Sequence, residues 1–338
     1  MTTRRRRVTL QQVADRAGVS TPTISKVLNG RPDVAPATRE LVLRVLNEEG
    51  YRPRGAAAIS GGTRHIEMVV DSLESPNLLD LLSGVLEAAG ERGDRVAISV
   101  LDPGVDPERW LADLKRAGRA GLVIVTVRLS AGHIRHLRAD GLPFVLIDPV
   151  NLVDSRVVSV GTSNWQGGFT ATSHLLDLGH RRIAMVRGLD CLVDDARFHG
   201  YAAALARHGL GHDPDLVRRG DFTYAGGLRS GAALLALPSP PTAVFAANDL
   251  EALGVIEAAR TAGLRVPDDL SVVGFDDNVV ARSASPPLTT VRQPLAEMGT
   301  FAYRGLADIL DGKKVTSPRV ELSAELVIRS STARPSRT

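Results

Sequence analysis

Polar side chains follow several apolar strand patterns in this 338-residue sequence, at the positions where each pattern ends. Asp148 follows FVLI, Asn248 and Asp249 follow AVFAA, and Asp276 follows SVVGF. In open α/β sheets, ligands bind beyond the carboxyl ends of the strands. Carboxylates accept hydrogen bonds and amides both donate and accept them, which suits the hydroxyl groups of a sugar. Because Asp and Asn also cap helices, each residue taken alone has a structural alternative.

A second group of polar residues lies near the N-terminus, in GVSTPTISKVLNG (18–30). Ser20 can cap a short helix, and Pro22 is tolerated in its first turn. Ile24 and Val27 form an apolar stripe, which leaves small polar groups and one lysine on the other side. Such side chains suit base edges in the major groove and backbone phosphates.

Flanking patterns predict two further helices around this stretch. Thr9 and Gln12 have the spacing of a capping box, and Gly18 is suited to end the helix that begins there. A third helix is predicted over about 36–49. A helix, a tight turn and a short second helix make a helix-turn-helix, and the third helix completes a shared core. Its predicted inner face consists of Leu41, Val42, Val45 and Leu46.

Charge and composition divide the chain unevenly. Residues 1–62 carry eleven Lys/Arg and five Asp/Glu, a balance of +6, whereas the rest of the chain has a balance of −3. This distribution predicts a polyanionic partner for the N-terminal module alone. No apolar run approaches the roughly 18 residues that span a bilayer. The basic N-terminus lacks the apolar region of a signal peptide, and Cys191 has no disulfide partner, so we expect a cytoplasmic protein.

From residue 63 onward, short apolar strands alternate with helical patterns. Continuous apolar strands of this kind are typical of parallel sheets that are covered on both faces. There are too many for one sheet, so we predict two doubly wound subdomains. The predicted strands are IEMVV (66–70), VAISV (96–100), LVIVTV (122–127), FVLI (144–147), IAMV (183–186), AVFAA (243–247) and LSVVGF (270–275).

Patterns of catalysis and metal binding are not found. His208 and His212 have the spacing of a zinc pair, but Gly209 and Gly211 would break the helix between them. The sequence contains no G-x-G-x-x-G, no phosphate-binding loop and no G-x-S-x-G. We therefore predict no enzyme activity, no cofactor and no metal site.

The N-terminal residues VTLQQVADRAGVSTPTISKVLNG (8–30) and VAPATRELVLRVLNEEGYRP (34–53) closely resemble the DNA-binding head of the LacI/GalR family of regulators. The resemblance continues into the family's sugar-binding core through LGHRRIAMV (178–186), TAVFAANDLEALG (242–254), VPDDLSVVGFDD (266–277) and PPLTTVRQP (286–294). It implies an α plus α/β fold with a three-helix helix-turn-helix head, a hinge, and a two-lobed periplasmic-binding-protein-like core of two doubly wound parallel sheets. The implied boundaries are 1–52 for the head with its basic tail, 53–62 for the hinge, 63–161 plus 292–318 for the first lobe, 162–291 plus 319–330 for the second lobe, and 331–338 for a tail.

Site residues are carried over from the same resemblance. Thr21 and Pro22 occupy the positions that choose operator bases, and in the hinge the minor-groove wedge position falls on Ser60, with Ile59 one residue early. The loop ESPNLL (74–79) departs from the aromatic pattern of the family. The predicted DNA-contact set is Thr9, Ser20, Thr21, Pro22, Thr23, Ser25, Lys26, Asn29, Ile59 and Ser60. The predicted effector contacts are Asp148, Arg197, Phe222, Asn248, Asp276 and Gln293.

The leading hypothesis is a homodimeric repressor of carbohydrate-utilisation genes, released from double-stranded operator DNA by a sugar that closes the two lobes. A nucleobase effector, a phosphorylated effector and co-repression stay open within that class. A sugar-binding transport component is disfavoured by the basic head, and a sugar hydrolase or kinase by the lack of a nucleophile or phosphate loop. No leucine-heptad pattern follows residue 330, which favours a dimer over a tail-assembled tetramer.

Overall fold

The computed structural model describes residues 9–28, 34–48, 63–102, 104–151, 157–315 and 317–336. The chain divides into two compact units, residues 1–64 and 65–338. Asn29 and the predicted hinge, with Ile59 and Ser60, lie outside the described residues, so the predictions made for them stay predictions.

Three helices make up the described part of the N-terminal unit: α1 (Leu10–Ala17), α2 (Thr21–Leu28) and α3 (Pro36–Glu48). The predicted capping box forms at the start of α1. The Thr9 side chain accepts a hydrogen bond from the Gln12 N–H, and the Gln12 side chain accepts one from the Thr9 N–H. Two N–H groups that the helix cannot satisfy are thereby paired.

The three helices share one apolar core. The inward position predicted for Leu41 is wrong, because this side chain is 40% exposed. Val42, Val45 and Leu46 already occupy the inner face at i, i+3 and i+4, and one residue along a helix turns by about 100° away from that face. The buried core residues are Val13, Ala14, Ala17, Ile24, Val27, Val42, Val45 and Leu46.

The described part of the larger unit contains two six-stranded sheets. The strands are β1 (His65–Val70), β2 (Arg95–Val100), β3 (Gly121–Val125), β4 (Phe144–Ile147), β5 (Ser159–Thr162), β6 (Ile183–Arg187), β7 (Val217–Arg219), β8 (Ala243–Ala246), β9 (Ser271–Asp276), β10 (Thr289–Arg292), β11 (Arg319–Leu322) and β12 (Glu325–Val327). The first lobe has the order β11-β5-β4-β3-β1-β2, and the second has β12-β10-β9-β8-β6-β7. Strand β12 pairs antiparallel with β10, whereas the other pairings described in the two sheets are parallel.

Helices cover both faces of these sheets, as the continuous apolar strands predicted. The helices are α4 (Leu78–Gly90), α5 (Pro107–Arg116), α6 (Ala131–Ala139), α7 (Asn164–Asp177), α8 (Leu192–Arg207), α9 (Tyr224–Leu235), α10 (Asp249–Thr261), α11 (Val279–Ser283) and α12 (Leu295–Leu310). In the first lobe α4 and α12 pack on one face of the sheet, and α5 and α6 pack on the other. The fold class expected from the sequence is thus the one observed.

Two of the implied boundaries differ from the structure. Strand β11 pairs in parallel with β5 of the first lobe, so this lobe extends to Leu322 and not to residue 318. The predicted tail is also part of the second lobe as far as residue 336. Ser331 is fully buried, donates a hydrogen bond to the Val272 carbonyl over 2.6 Å and accepts one from the Thr289 N–H over 2.8 Å. These backbone groups of β9 and β10 need partners when they are buried, which fixes the segment in place.

Small residues bring α7 and α8 into backbone contact. A side chain at Gly168 would place its Cβ 2.2 Å from the Arg197 carbonyl oxygen, and one at Gly200 would lie 2.1 Å from the Trp165 carbonyl oxygen. Only glycine allows this approach. The close packing of the two helices sets the positions of Arg197 and Trp165 at the edge of the second lobe that faces the first.

Candidate functional site

Four of the six predicted effector residues meet between the two lobes. Asp148 follows β4, Asp276 ends β9, Gln293 follows β10, and Arg197 projects from α8. Gln293 Nε2 donates to Asp276 Oδ1 over 2.6 Å, and Arg197 Nη2 lies 3.9 Å from the same oxygen. Arg197 also interacts electrostatically with Asp148. We call this group the cleft cluster.

Arg197 is held from three sides. Its Nε donates to Asn164 Oδ1 over 2.8 Å, and its Nη1 donates to the Ala247 carbonyl over 2.5 Å. The guanidinium carbon lies 3.7 Å from the centre of the Phe275 ring, within cation–π range. Because these contacts remove the freedom of the side chain, Nη2 presents a fixed donor toward Asp276.

Positive φ angles concentrate in the predicted site. The backbone φ is +43° at Asp148, +118° at Asp276 and +62° at Phe222. Side-chain-bearing residues rarely adopt such angles, which cost on the order of 1–3 kcal/mol where they occur. Strain of this kind is typical of positions where a side chain is aimed at a ligand.

Burial changes the acidity of the two carboxyl groups in the cleft cluster. It raises the pKa of Asp148 to about 6, although the nearby Arg197 acts in the opposite direction. Burial also raises the pKa of Asp276, against Arg197 and against hydrogen bonds from Asn77 and Gln293. Both groups hold protons more strongly than an exposed aspartate, because a buried charge loses its hydration.

Asn248 and Phe222 form a neighbouring pair. Asn248 Oδ1 accepts from the Glu251 N–H over 2.8 Å and caps α10, while its Nδ2 donates to the Phe222 carbonyl over 2.9 Å. Glu251 Oε1 accepts from the Phe222 N–H over 2.9 Å. The Phe222 ring lies so close to Gly188 that a Cβ there would be 2.1 Å from it. Asn248 thus holds Phe222 in place in addition to capping a helix.

Asparagines that the sequence analysis did not assign complete the site. Asn278 Nδ2 donates to Asn77 Oδ1 over 3.0 Å, which joins the second lobe to the first. Asn77 also hydrogen-bonds Asp276, and Asn164 orients Arg197. Asn77 stands where the sequence departs from the aromatic family pattern, and this departure was the available signal. Asn164 gave none, because it follows β5, a strand that the sequence analysis missed.

One acceptor in the cluster has no partner within the described structure. Gln293 Oε1 is buried and receives no hydrogen bond. Gln293, together with Asp148 and Asn77, lines a cavity of about 50 Å³. A buried acceptor of this kind calls for a donor, such as a ligand hydroxyl or an ordered water. Asp148 also lines a second cavity, of about 340 Å³.

Four of the predicted DNA-contact residues, Thr21, Pro22, Thr23 and Ser25, lie on helix α2 together with Lys26, whereas Thr9 caps α1 and Ser20 precedes α2. Ser20 Oγ accepts from the Thr23 N–H over 3.3 Å, which caps the helix as expected. Thr21 Oγ1 donates to Gln11 Oε1 over 3.0 Å, so α1 orients this side chain. Pro22, Ser25 and Lys26 are exposed, while Ile24 and Val27 are buried in the core of the head.

Neither a reactive thiol nor a metal site is found among the described residues. Cys191 is buried, and its burial raises the pKa of the thiol, which disfavours the reactive thiolate. In the residues that the structure describes, no group of three or more His, Cys, Asp or Glu could hold a metal ion. No helix among them is long and apolar enough to cross a membrane.

Comparison with known proteins decides the family. Residues 9–54 match the sequence model of bacterial regulatory proteins of the lacI family, and residues 172–332 match that of a periplasmic binding protein-like domain. The HTH-type transcriptional regulator CelR of Thermobifida fusca is 36% identical over 337 residues, which cover 97% of this chain and 99% of that protein. The chain belongs to the lacI family. The resemblance seen in the sequence is confirmed, and the chain is a ligand-responsive transcriptional regulator, not an enzyme.

Other relatives agree over nearly the full length of the chain. The HTH-type transcriptional repressor CytR of Escherichia coli K12 is 33% identical over 328 residues, 96% of each protein. A solved CelR–cellobiose complex superposes with a TM-score of 0.75 at 35% identity and covers 96% of this chain and all of that one. The lac repressor dimer bound to operator and the anti-inducer ONPF gives a TM-score of 0.71 at 28% identity, covering 97% and 100%.

Proposed function

We propose that this lacI-family regulator is a repressor of carbohydrate-utilisation genes and that a neutral sugar bound between its lobes releases it from its operator. The observation that carries the proposal is the cleft cluster with its unpartnered acceptor. Asp148, Arg197 and Asp276 offer charged hydrogen-bonding groups in fixed positions, and Gln293 Oε1 needs a donor. A polyol supplies both donors and acceptors and satisfies all four residues.

The charge of the cleft favours a neutral sugar over a phosphorylated one. Asp71, Asp148 and Thr126 line the smaller cavity, and Asp276 lies beside Gln293. Arg197 is the positively charged residue of the cleft cluster. It already interacts with two carboxyl groups, those of Asp276 and Asp148. A phosphate placed there would be repelled by the buried carboxyl groups of Asp148 and Asp276 and attracted by one guanidinium that is already shared.

The contact between the lobes is one that a bound ligand can change. Asn77 of the first lobe is bound to Asn278 and Asp276 of the second. A sugar that bonds Asp276 and Gln293 competes with these contacts, so it stabilises a different arrangement of the lobes. A ligand shifts an equilibrium only through such differential contacts. The relatives support this reading, since CelR has been solved with cellobiose and CytR is named a repressor.

An exposed apolar face of the first lobe supports the proposed homodimer. Leu79 and Leu86 of α4 are 73% and 47% exposed, and Ile98 and Val100 of the edge strand β2 are also exposed. Exposed apolar side chains grouped on one face mark an association surface. A twofold dimer also matches a near-palindromic operator, and the lac repressor relative has been solved as an operator-bound dimer.

Operator release by sugar tests the proposal directly. An operator is first selected from random DNA duplexes by binding to the full-length protein, and its affinity is measured by fluorescence anisotropy with and without neutral mono- and disaccharides. We expect at least one sugar to weaken operator binding by about tenfold or more, as allosteric couplings usually do. Tighter operator binding with sugar would instead show co-repression. An operator affinity that none of the neutral sugars changes would overturn the neutral effector.

A further inference from the structure

The larger cavity does not coincide with most of the predicted effector residues. It has a volume of about 340 Å³ and is lined from the first lobe by Asp148, Asn151 and Glu321 and from the second by Asn164, Trp165 and Leu192. Arg197, Phe222, Asn248, Asp276 and Gln293 are not in its wall. A volume of this size falls in the range of small-molecule sites, about 300–1,000 Å³. It therefore provides room that the cleft cluster does not account for.

Trp165 gives this cavity a flat apolar wall. Its side chain is 44% exposed although it is at the start of α7. The ring is stacked on Phe169, with 5.3 Å between the ring centres and 15° between the planes. This stacking supports the indole from one side and fixes its orientation. A large aromatic ring with a polar N–H is suited to cover the C–H face of a sugar ring while it donates to a hydroxyl.

Polar groups at the cavity continue from the cleft cluster to Trp165. Asp148 lines both cavities, and Asn164 lies in the larger cavity while its Oδ1 binds Arg197. Glu321, which is paired with Arg319 over 2.9 Å, supplies acceptors at the exposed side. Asp148 is therefore the residue at which the two cavities meet, and a ligand in either of them can contact it.

We propose that the larger cavity is a second sugar subsite, in which Trp165 stacks on the next ring of a neutral oligosaccharide whose first ring binds the cleft cluster. This proposal rests on the sugar effector proposed above and narrows it to ligands of two or more rings. Trp165 and Glu321 then determine the length of the sugar, while the cleft cluster binds the ring that is common to short and long ligands.

Tryptophan fluorescence of the full-length protein tests the subsite, because the chain has two tryptophans and the other, Trp110, is 8% exposed in α5. The probes are cellobiose, maltose and lactose, with glucose and galactose as the matching single rings. A bound disaccharide should change the emission of the wild-type protein and leave that of Trp165→Phe unchanged. Calorimetry should show disaccharide affinity about tenfold lower in Trp165→Ala, with monosaccharide affinity unaltered.

Phe301→Ala is the matched control, since Phe301 is a similarly exposed aromatic residue, at 45%, that lines neither cavity. Equal disaccharide affinity in wild type and Trp165→Ala, or an equal loss of monosaccharide affinity, would overturn the second subsite alone. If Trp165→Ala does not fold, the wild-type protein still tests the subsite. Tryptophan emission that is the same with and without saturating disaccharide would overturn the second subsite equally well. If none of the five sugars binds the wild-type protein, the sugar effector itself is overturned and the subsite with it.

Discussion

The Asp276 carboxylate joins both lobes of the cleft. It accepts from Gln293 Nε2 over 2.6 Å, hydrogen-bonds Asn77 and lies 3.9 Å from Arg197 Nη2. In Asp276→Asn the shape is kept, but the charge is lost and an amide N–H2 replaces one acceptor. We expect effector affinity to fall about ten- to hundredfold, the usual value of a charge-assisted hydrogen bond, and operator affinity without effector to be retained.

Calorimetry for the effector and anisotropy for the operator check this outcome. Asp113→Asn is the control, because Asp113 lies on the surface of α5 and lines neither cavity. Effector binding that is as tight in Asp276→Asn as in the wild type would remove Asp276 from the site. A loss of operator binding without effector would mean instead that the substitution disturbs the whole regulator.

The predicted role of helix α2 in DNA binding can be tested through the salt dependence of the affinity. Lys26 is exposed on this helix, and its predicted partner is a DNA phosphate. Lys26→Ala should weaken binding to all DNA sequences to a similar extent and reduce the slope of log affinity against log salt by about 1. Thr21→Ala should change the preferred bases, because Thr21 lies in the first turn of the helix and is oriented by Gln11.

The control for charge loss is Arg116→Ala, which removes a cation that is 77% exposed on α5 of the larger unit. It should leave the salt slope unaltered. An unchanged slope in Lys26→Ala would place α2 away from the phosphates. Base preferences identical in wild type and Thr21→Ala would mean that another part of the head reads the sequence.

The stability of the whole molecule should depend on pH through Glu251. This side chain is fully buried, and burial raises its pKa to about 8, against hydrogen bonds from the N–H groups of Phe222 and Asp221. Its Oε2 has no partner among the described residues, which suits the protonated form. The ordinary pKa of a glutamate is 4.5, so between pH 4.5 and about pH 8 this group binds more protons in the native protein than in the unfolded chain. The free energy of unfolding therefore falls as the pH rises through this range.

Glu251→Gln keeps the Oε1 acceptor and removes the titration. Between pH 6 and 8 we expect the wild type to lose on the order of 1–3 kcal/mol more unfolding free energy than the variant. Urea unfolding at several pH values measures this difference. Asp148 does not interfere, because it is present in both proteins. Glu297→Gln, at an exposed position of α12, should follow the wild type. Parallel curves for wild type and Glu251→Gln would show that Glu251 is ionised in the folded protein.

Local sequence patterns were sufficient to predict the helices of the head and the central strands of the two sheets. The capping box at Thr9 and Gln12 and the stop at Gly18 depend on hydrogen bonds within one turn, so neighbouring residues determine them. The apolar runs of β1, β3, β4, β6, β8 and β9 are buried on both faces, and burial selects the same residue types wherever such a strand lies. The strand-end positions of Asp148, Asn248 and Asp276 followed from these runs.

Tertiary structure decided what depends on distant partners. Strands β5, β10, β11 and β12 are three or four residues long and mix polar with apolar side chains, so only pairing with a neighbour defines them. The pairing of β11 with β5 therefore could not be read from residues 319–322 alone. The contact of Asn164 with Arg197 and the wall that Trp165 gives to the larger cavity depend on the close approach of α7 and α8. That approach joins residues about thirty positions apart, beyond the reach of any local pattern.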